Sequence, residues 1–155
     1  MKKITALVLA CSLAASTSVI AETAKSEKQA NRSVELRQAI FSLLGANMGT
    51  LGAMAKGKIP LDAKVIETNA TRLNQLSLMI DDYTRVDTTS FDVNTEALDK
   101  VWNERSTFEK HIKDLTMASK NLQTVASSGD EGAIKKAIGG VGKTCGGCHD
   151  IFKKD

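Results

Sequence analysis

Proline and aromatic residues are scarce in this chain. Pro60 is the single proline, and Phe, Tyr and Trp make up 4% of the 155 residues. Sandwiches and barrels draw heavily on aromatic side chains and turn residues, so the composition leans away from them and toward helices. Cysteine is equally thin, at positions 11, 145 and 148, and supplies no partners for a wide disulfide framework. Histidine occurs only at 111 and 149. Charge of one sign is also missing: 21 basic residues face 18 acidic ones, a formal net of +3. Nothing argues for nucleic-acid binding, which asks for a clustered positive footprint. There is no repeat at solenoid period and no low-complexity tract. What remains is an ordinary soluble globular profile, 42% hydrophobic and 25% charged, at the length of one domain.

The first 21 residues read as a secretory signal peptide. Lys2 and Lys3 give the basic start, and Ile4–Ala15 is an apolar stretch too short to span a bilayer. Val19-Ile20-Ala21 offers a cleavage site, so the mature chain is expected to begin at Glu22, to occupy 22–155 as one domain, to be periplasmic, and not to insert into a membrane. Without Lys2 and Lys3 the balance is 19 basic to 18 acidic. Cys11 goes with the signal; the alternative makes Val8-Leu9-Ala10-Cys11 a lipoprotein box, but the apolar stretch before it is short.

Four amphipathic segments follow. The first, about 29–55, carries Val34, Arg37, Phe41, Leu44, Met48, Leu51 and Ala55 at steps of three and four. A second stripe on it holds Leu36, Ile40 and Leu43. Lys56-Gly57-Lys58-Ile59-Pro60 ends it, glycine suiting a C-cap and proline unable to continue. The second segment, about 62–83, is seamed by Ile66, Ala70, Leu73 and Ile80. Residues 85–95, rich in Thr and Asp, read as the one long loop. The third, about 96–127, keeps the spacing through Leu98, Val101, Arg105, Phe108, Ile112, Leu115 and Leu122. The fourth, 130–153, is capped by Asp130 and seamed by Ile134, Ile138, Val141, Cys145, His149 and Phe152. The fold class is all-α: an antiparallel up-down-up-down four-helix bundle.

Cys145-Gly146-Gly147-Cys148-His149 has the Cys-x-x-Cys-His form of c-type haem attachment. Two thiols about one helical turn apart reach two vinyl groups of one porphyrin, and the adjacent imidazole becomes the proximal ligand of the iron. One haem c, covalent through Cys145 and Cys148 with His149 on the metal, is the expected cofactor. Two alternatives compete. A redox dithiol would want a preceding strand, and here a helix precedes. A zinc site wants four ligands, and only the distant His111 is left to complete one. The run Gly139–Thr144 imitates part of a phosphate-binding loop, but Ala137 stands where the pattern needs glycine and no nucleotide fold can follow. Its small residues instead suit close approach of backbone to haem or helix.

With these residues in view the chain resembles the cytochrome c′ family, the class II c-type cytochromes. The marks are Arg37-Gln38-Ala39-Ile40-Phe41, Met54-Ala55-Lys56-Gly57, Trp102, and Val141 through Lys153 around the haem motif. The resemblance covers nearly all of the chain after the signal. It implies a five-coordinate iron with histidine below and no protein ligand above. It also implies a bulky apolar residue of the first helix over the open face, here Phe41 where many members carry an aliphatic. The arginine four residues earlier, here Arg37, would neighbour a haem propionate. A basic residue four after the proximal histidine, here Lys153 where several have arginine, would shape the proximal pocket.

The residues bear separate readings too. Arg37 lies on a core seam and needs a counter-charge; a propionate is one, and snorkelling to the bundle end or pairing with Glu35 or another surface acid is the alternative. Phe41, one turn on, is either plain core or a screen over the iron. Met48 and Met54 are the candidate sixth ligands if the iron is low-spin, though methionine at helical spacing is usually filler; Met79 and Met117 read as packing. His111, among Glu109, Lys110 and Lys113, reads as exposed. Trp102 is expected against haem or core. Arg105 repeats the seam position of Arg37 and more readily snorkels.

The leading functional expectation is a non-enzymatic haem protein taking nitric oxide or carbon monoxide, with redox partner proteins possible. Apolar walls would lack the donor that bound dioxygen needs. A methionine-ligated electron carrier and a haem-free dithiol enzyme are the other classes. The stripe Leu36, Ile40, Leu43 predicts a homodimer through the first helix.

Overall fold

The computed structural model describes residues 22–154; the expected signal peptide, Cys11 included, lies outside the described residues. Two residues of extended chain, β1 (Glu22–Thr23), lead into α1 (Glu27–Ala55). After a turn come α2 (Ala63–Thr84), β2 (Val86–Asp87), a short α3 (Lys100–Asn103), α4 (Arg105–Ala126) and α5 (Glu131–Phe152).

The helix ends follow their local chemistry. Ser26, Asp62 and Asp130 each accept a hydrogen bond from the backbone N–H three residues on, at 3.2, 3.0 and 2.9 Å, satisfying donors that the first turn leaves open. At the end of α1, Gly57 takes φ +68°. Gly57 N–H then donates to Met54 O at 3.0 Å and Lys58 N–H to Ala53 O at 2.9 Å, the paired closure that a left-handed residue permits.

α1 packs on α2 and α5, and α4 packs on α2 and α5, so the four long helices form an antiparallel four-helix bundle in sequence order around the ring. Leu51, Ile66, Leu73, Leu122, Ile138 and Val141 fill its centre. Ser77 and Thr116 share a hydrogen bond of 2.8 Å between α2 and α4. Among the described residues, no helix is long and apolar enough to cross a membrane.

Four features depart from the periodicity. The third segment is not one helix from 96. Leu98 N–H donates to Phe152 O at 2.9 Å and Lys154 N–H to Glu96 O at 2.7 Å, so residues 96–98 pair with the tail after α5 and cannot coil. The loop therefore runs from 85 to 99, and α3 and α4 are separated at Glu104. Second, β1 and β2 pair in parallel, Glu22 with Val86 and Thr23 with Asp87, pinning the stretch before α1 to that loop. Third, Ile40 of the extra α1 stripe belongs to the protein's own core, and Leu36 is half-buried; only Leu43, 52% exposed, faces out. Fourth, Met79 and Met117 lie on the surface rather than in packing.

Arg105 neither snorkels nor faces the haem motif. It donates to the carbonyl and hydroxyl of Thr84 at 3.2 and 3.1 Å, to Glu109 at 3.3 Å, and to the Asp81 carboxylate. Trp102 Nε1 donates to the same Thr84 carbonyl at 3.0 Å. The C-terminus of α2 is thereby tied to the α3–α4 junction. Partial burial tends to raise the Asp81 pKa, but hydrogen bonds and charge from Arg85 and Arg105 outweigh it and hold the carboxyl below its ordinary value. A depressed folded pKa contributes stability above the unfolded value of ~3.9, and that contribution is lost as pH falls through the folded one. Asp81→Asn is expected to lower stability at pH 7 by about 1–2 kcal/mol and to flatten the loss of stability below pH ~4. Denaturant midpoints measured across that range check it.

Candidate haem site

α1 and α5 touch over a shorter stretch than the other neighbouring pairs. The space left between them, walled at the back by α4, is a cavity of about 1090 Å³. Pockets that hold whole ligands run to ~300–1,000 Å³. Its walls are mostly apolar: Phe41, Leu44 and Met48 from α1, Phe108, Ile112 and Leu115 from α4, Ile138 and Phe152 from α5.

Glycines keep it open. Gly45, Gly49 and Gly52 of α1 and Gly139 of α5 line it, and a β-carbon on any of them would meet nothing within 4 Å. Small residues here hold the helices' surfaces back from each other rather than bringing the backbones together. Gly139–Thr144 lies wholly inside α5, so its N–H groups are committed to the helix and cradle no phosphate.

Cys145, Cys148 and His149 line this cavity together with Arg37, Phe41 and Lys153. The Cys-x-x-Cys-His motif sits within the last turns of α5, where residues three and four apart share a face. Both thiols are half-buried. Burial pushes the Cys145 thiol up, and burial with the nearby Cys145 pushes Cys148 up to about 11. A dithiol catalyst needs the opposite, a thiolate favoured by positive surroundings. Among the described residues, no three His, Cys, Asp or Glu side chains cluster as a metal-holding group.

Arg37 is 3% exposed. Its Nη2 donates to Thr95 Oγ1 at 3.0 Å and Thr88 Oγ1 at 3.4 Å. Its guanidinium carbon lies 5.2 Å over the Trp102 ring. Nη1 has no partner within the protein. Burial lowers the Arg37 pKa, and the charge of Asp87 works against that. Glu35 is engaged by Arg32 at 3.1 Å, so Arg37 pairs with Asp87's charge at a distance rather than with Glu35, and its burial rules out snorkelling. A buried cation with an orphan donor at the rim of a cavity that also presents two thiols and an imidazole fits a dianionic porphyrin edge.

The remaining predicted residues divide. Phe41 is 38% exposed and projects into the cavity rather than into close-packed core. Lys153 forms an ion pair with Glu96 at 3.1 Å at the cavity rim. Trp102 does not line the cavity; it stands one layer behind, bracing Arg37. Met54 is buried away from the cavity, while Met48 lines it. His111 corrects its reading as exposed. It is half-buried, lines the cavity, and packs edge-on against Phe152 with ring centroids 5.7 Å apart. Its charged neighbours misdirect the eye; the spacing Phe108, His111, Ile112, Leu115 puts it on the cavity face.

Comparison with known proteins agrees with this geometry. The family model described as cytochrome c′ matches residues 32–153. Cytochrome c′ of Rubrivivax gelatinosus is 34% identical over 78% of this chain and 93% of its own. The solved cytochrome c prime of Shewanella frigidimarina is 36% identical and superposes with a TM-score of 0.75 over 84% of this chain and 100% of its own. A ferrous variant of cytochrome c prime from Alcaligenes xylosoxidans with bound NO is 26% identical, with a TM-score of 0.72 over 81% of this chain and 96% of its own. With the attachment motif on α5, the cavity beside it and the bundle around both, the chain is a c-type haem protein and belongs to the cytochrome c′ family.

Proposed function

We propose that this is a periplasmic haem protein, not an enzyme, that binds nitric oxide or carbon monoxide at a five-coordinate iron. One haem would be held covalently by Cys145 and Cys148, with His149 as a ligand to its iron. The observation that carries the reading is the makeup of the α1 wall. It offers Phe41, which cannot coordinate, and no polar donor between Arg37 at one end and Lys56 at the other except Gln38 and Ser42 beside Arg37. When bound, the haem would supply an iron with a position free for a small neutral ligand. Phe41 restricts the size of what reaches that position, and the apolar wall keeps charged species and water from competing there. Arg37 offers positive charge to the propionate edge, and Lys153, four residues after His149, shapes the proximal pocket. The NO-bound relative supports the ligand class, as does a carbon-monoxide-bound variant of the same relative. Residues 1–21 act as the export signal. The homodimer remains the expected assembly, with Leu43 of α1 at its contact.

A second reading has one observation in its favour. Met48 lines the cavity, so a methionine-ligated electron carrier working with redox partner proteins is the alternative. The optical spectrum of the haem-loaded protein separates the two. A high-spin five-coordinate spectrum, with carbon monoxide binding faster by roughly tenfold in Phe41→Ala, is the expected result. A low-spin spectrum that Met48→Ala converts to high-spin overturns it in favour of the carrier.

A further inference from the structure

Arg37 stands on α1 but is held by the loop 85–99. Thr88 and Thr95, both of that loop, take the same guanidinium nitrogen, Nη2, at 3.4 and 3.0 Å. Trp102 lies under the flat face. Nη1 is left buried without a partner. A carboxylate is close by, yet it is turned elsewhere. Asp87 acts on Arg37 by charge, but its Oδ1 accepts from Thr89 N–H at 2.8 Å. The loop thus meets the guanidinium with neutral hydroxyls, which fix its direction without cancelling its charge. The loop is itself fastened on three sides. Ala24 N–H donates to Asp87 O at 2.8 Å, and Leu98 N–H to Phe152 O at 2.9 Å. Gln38 Nε2, next to Arg37 on α1, donates to Asn94 O at 3.3 Å. Thr95 Oγ1 also accepts from Ala97 N–H at 3.2 Å, so the loop's own backbone orients that hydroxyl.

From this placement we propose that Thr95 and Thr88 are positioning residues of the haem site, which pin Nη2 of Arg37 so that Nη1 is left to meet the anionic edge of the porphyrin with its charge unneutralised. The proposal rests on the haem reading above and adds the residues that aim its counter-charge. It gives the loop a part in the redox equilibrium of the iron. A positive charge held near the porphyrin favours the ferrous form, which carries one positive charge fewer than the ferric. A carboxylate in place of either hydroxyl would satisfy Arg37 within the protein and withdraw that charge from the cofactor.

The test is a double-mutant cycle on the haem-loaded protein, read by redox titration. Thr95→Val keeps the side chain's shape and removes the acceptor. At fixed potential it is expected to shift the ferric-to-ferrous ratio toward ferric by about threefold, and Arg37→Met by about tenfold. On the Arg37→Met background Thr95→Val is expected to add nothing, because no guanidinium is left to position. A second arm needs no haem. On the Cys145→Ala, Cys148→Ala background, Thr95→Asp retains an acceptor for Ala97 N–H and supplies the carboxylate that Arg37 lacks. It is expected to raise the denaturant midpoint with Arg37 in place and to lower it once Arg37→Met is added. An equal shift from Thr95→Val in both redox backgrounds, or none in wild type, would overturn the proposal. So would a Thr95→Asp midpoint that is indifferent to Arg37. A chain that takes up no haem defeats the haem reading instead, and the haem-free arm still decides whether Thr95 acts on Arg37.

Discussion

Alanine at both Cys145 and Cys148 is expected to abolish covalent haem while leaving the bundle folded. Neither cysteine is a core pillar: both are half-buried at the cavity wall, and the fully buried residues of α5 are Ile138 and Val141. Each cysteine removed gives up only part of a small side chain's burial, about 1 kcal/mol apiece. The effect on cofactor retention is far larger. A tethered group rebinds at an effective concentration of about millimolar or above, whereas a free one obeys its own dissociation constant. In wild type, acidified organic solvent leaves the haem on the peptide containing Gly146 and Gly147, and the mass of that peptide carries the adduct. In the double variant the adduct is gone, and thermal stability becomes dependent on added haem, rising by about 1.4 kcal/mol for each tenfold excess over the dissociation constant. The elevated thiol pKa values add a kinetic corollary. Without haem the pair reacts slowly with alkylating agents at neutral pH, because so little thiolate is present. Rapid alkylation of haem-free wild type at pH 7 would revive the dithiol reading.

How legible was this in the chain? The long helices were, because each carries a three–four apolar seam, with a stop at Gly57–Pro60 and a cap at Asp130. The attachment motif was legible for a related reason: its chemistry needs neighbours in sequence, so nothing distant has to be known. What failed was whatever depends on tertiary partners. Leu98 continues the seam of the third segment, yet its backbone pairs with Phe152, and no local pattern announces a strand partner fifty residues away. The seam arginines illustrate the same limit. Arg37 and Arg105 fall on equivalent seam positions in the sequence, although Arg105 opens α4 and Arg37 lies mid-way along α1. Arg105 finds Asp81, Glu109 and Thr84 and is satisfied, whereas Arg37 hydrogen-bonds only threonine hydroxyls over the face of Trp102, with Asp87 near enough to act by charge alone. The sequence leaves Trp102 against haem or core; it lies in the core, under the Arg37 guanidinium. The small residues of Gly139–Thr144 in α5 read as positions of close approach to haem or helix, and only the three-dimensional arrangement shows that α1 and α5 leave a cavity there.

Arg37→Met is expected to change stability with opposite sign in the two forms of the protein. Without haem, the side chain is a buried cation with one uncommitted nitrogen and two neutral acceptors. Desolvating a guanidinium costs several kcal/mol, and hydroxyl acceptors return only part of it. Methionine keeps the apolar stem against Trp102 and removes the charge, while leaving the Thr88 hydroxyl without its partner, which costs about 1–3 kcal/mol. The two effects nearly cancel, so the haem-free chain, prepared on the Cys145→Ala, Cys148→Ala background, is expected to be neutral to about 2 kcal/mol more stable. With haem present the balance reverses. A propionate opposite Nη1 then sits unpaired at a partly desolvated rim, and breaking such a pair from one side costs about 3–5 kcal/mol. Arg37→Lys keeps the charge but not the forked donors that reach Thr95, Thr88 and an anion together, so it recovers only part of the loss. Denaturant titrations of the loaded and haem-free proteins read the two signs directly. A loss of equal size in both forms would mean that Arg37 serves the bundle alone, and that the orphan donor at the cavity rim has no anionic partner to meet.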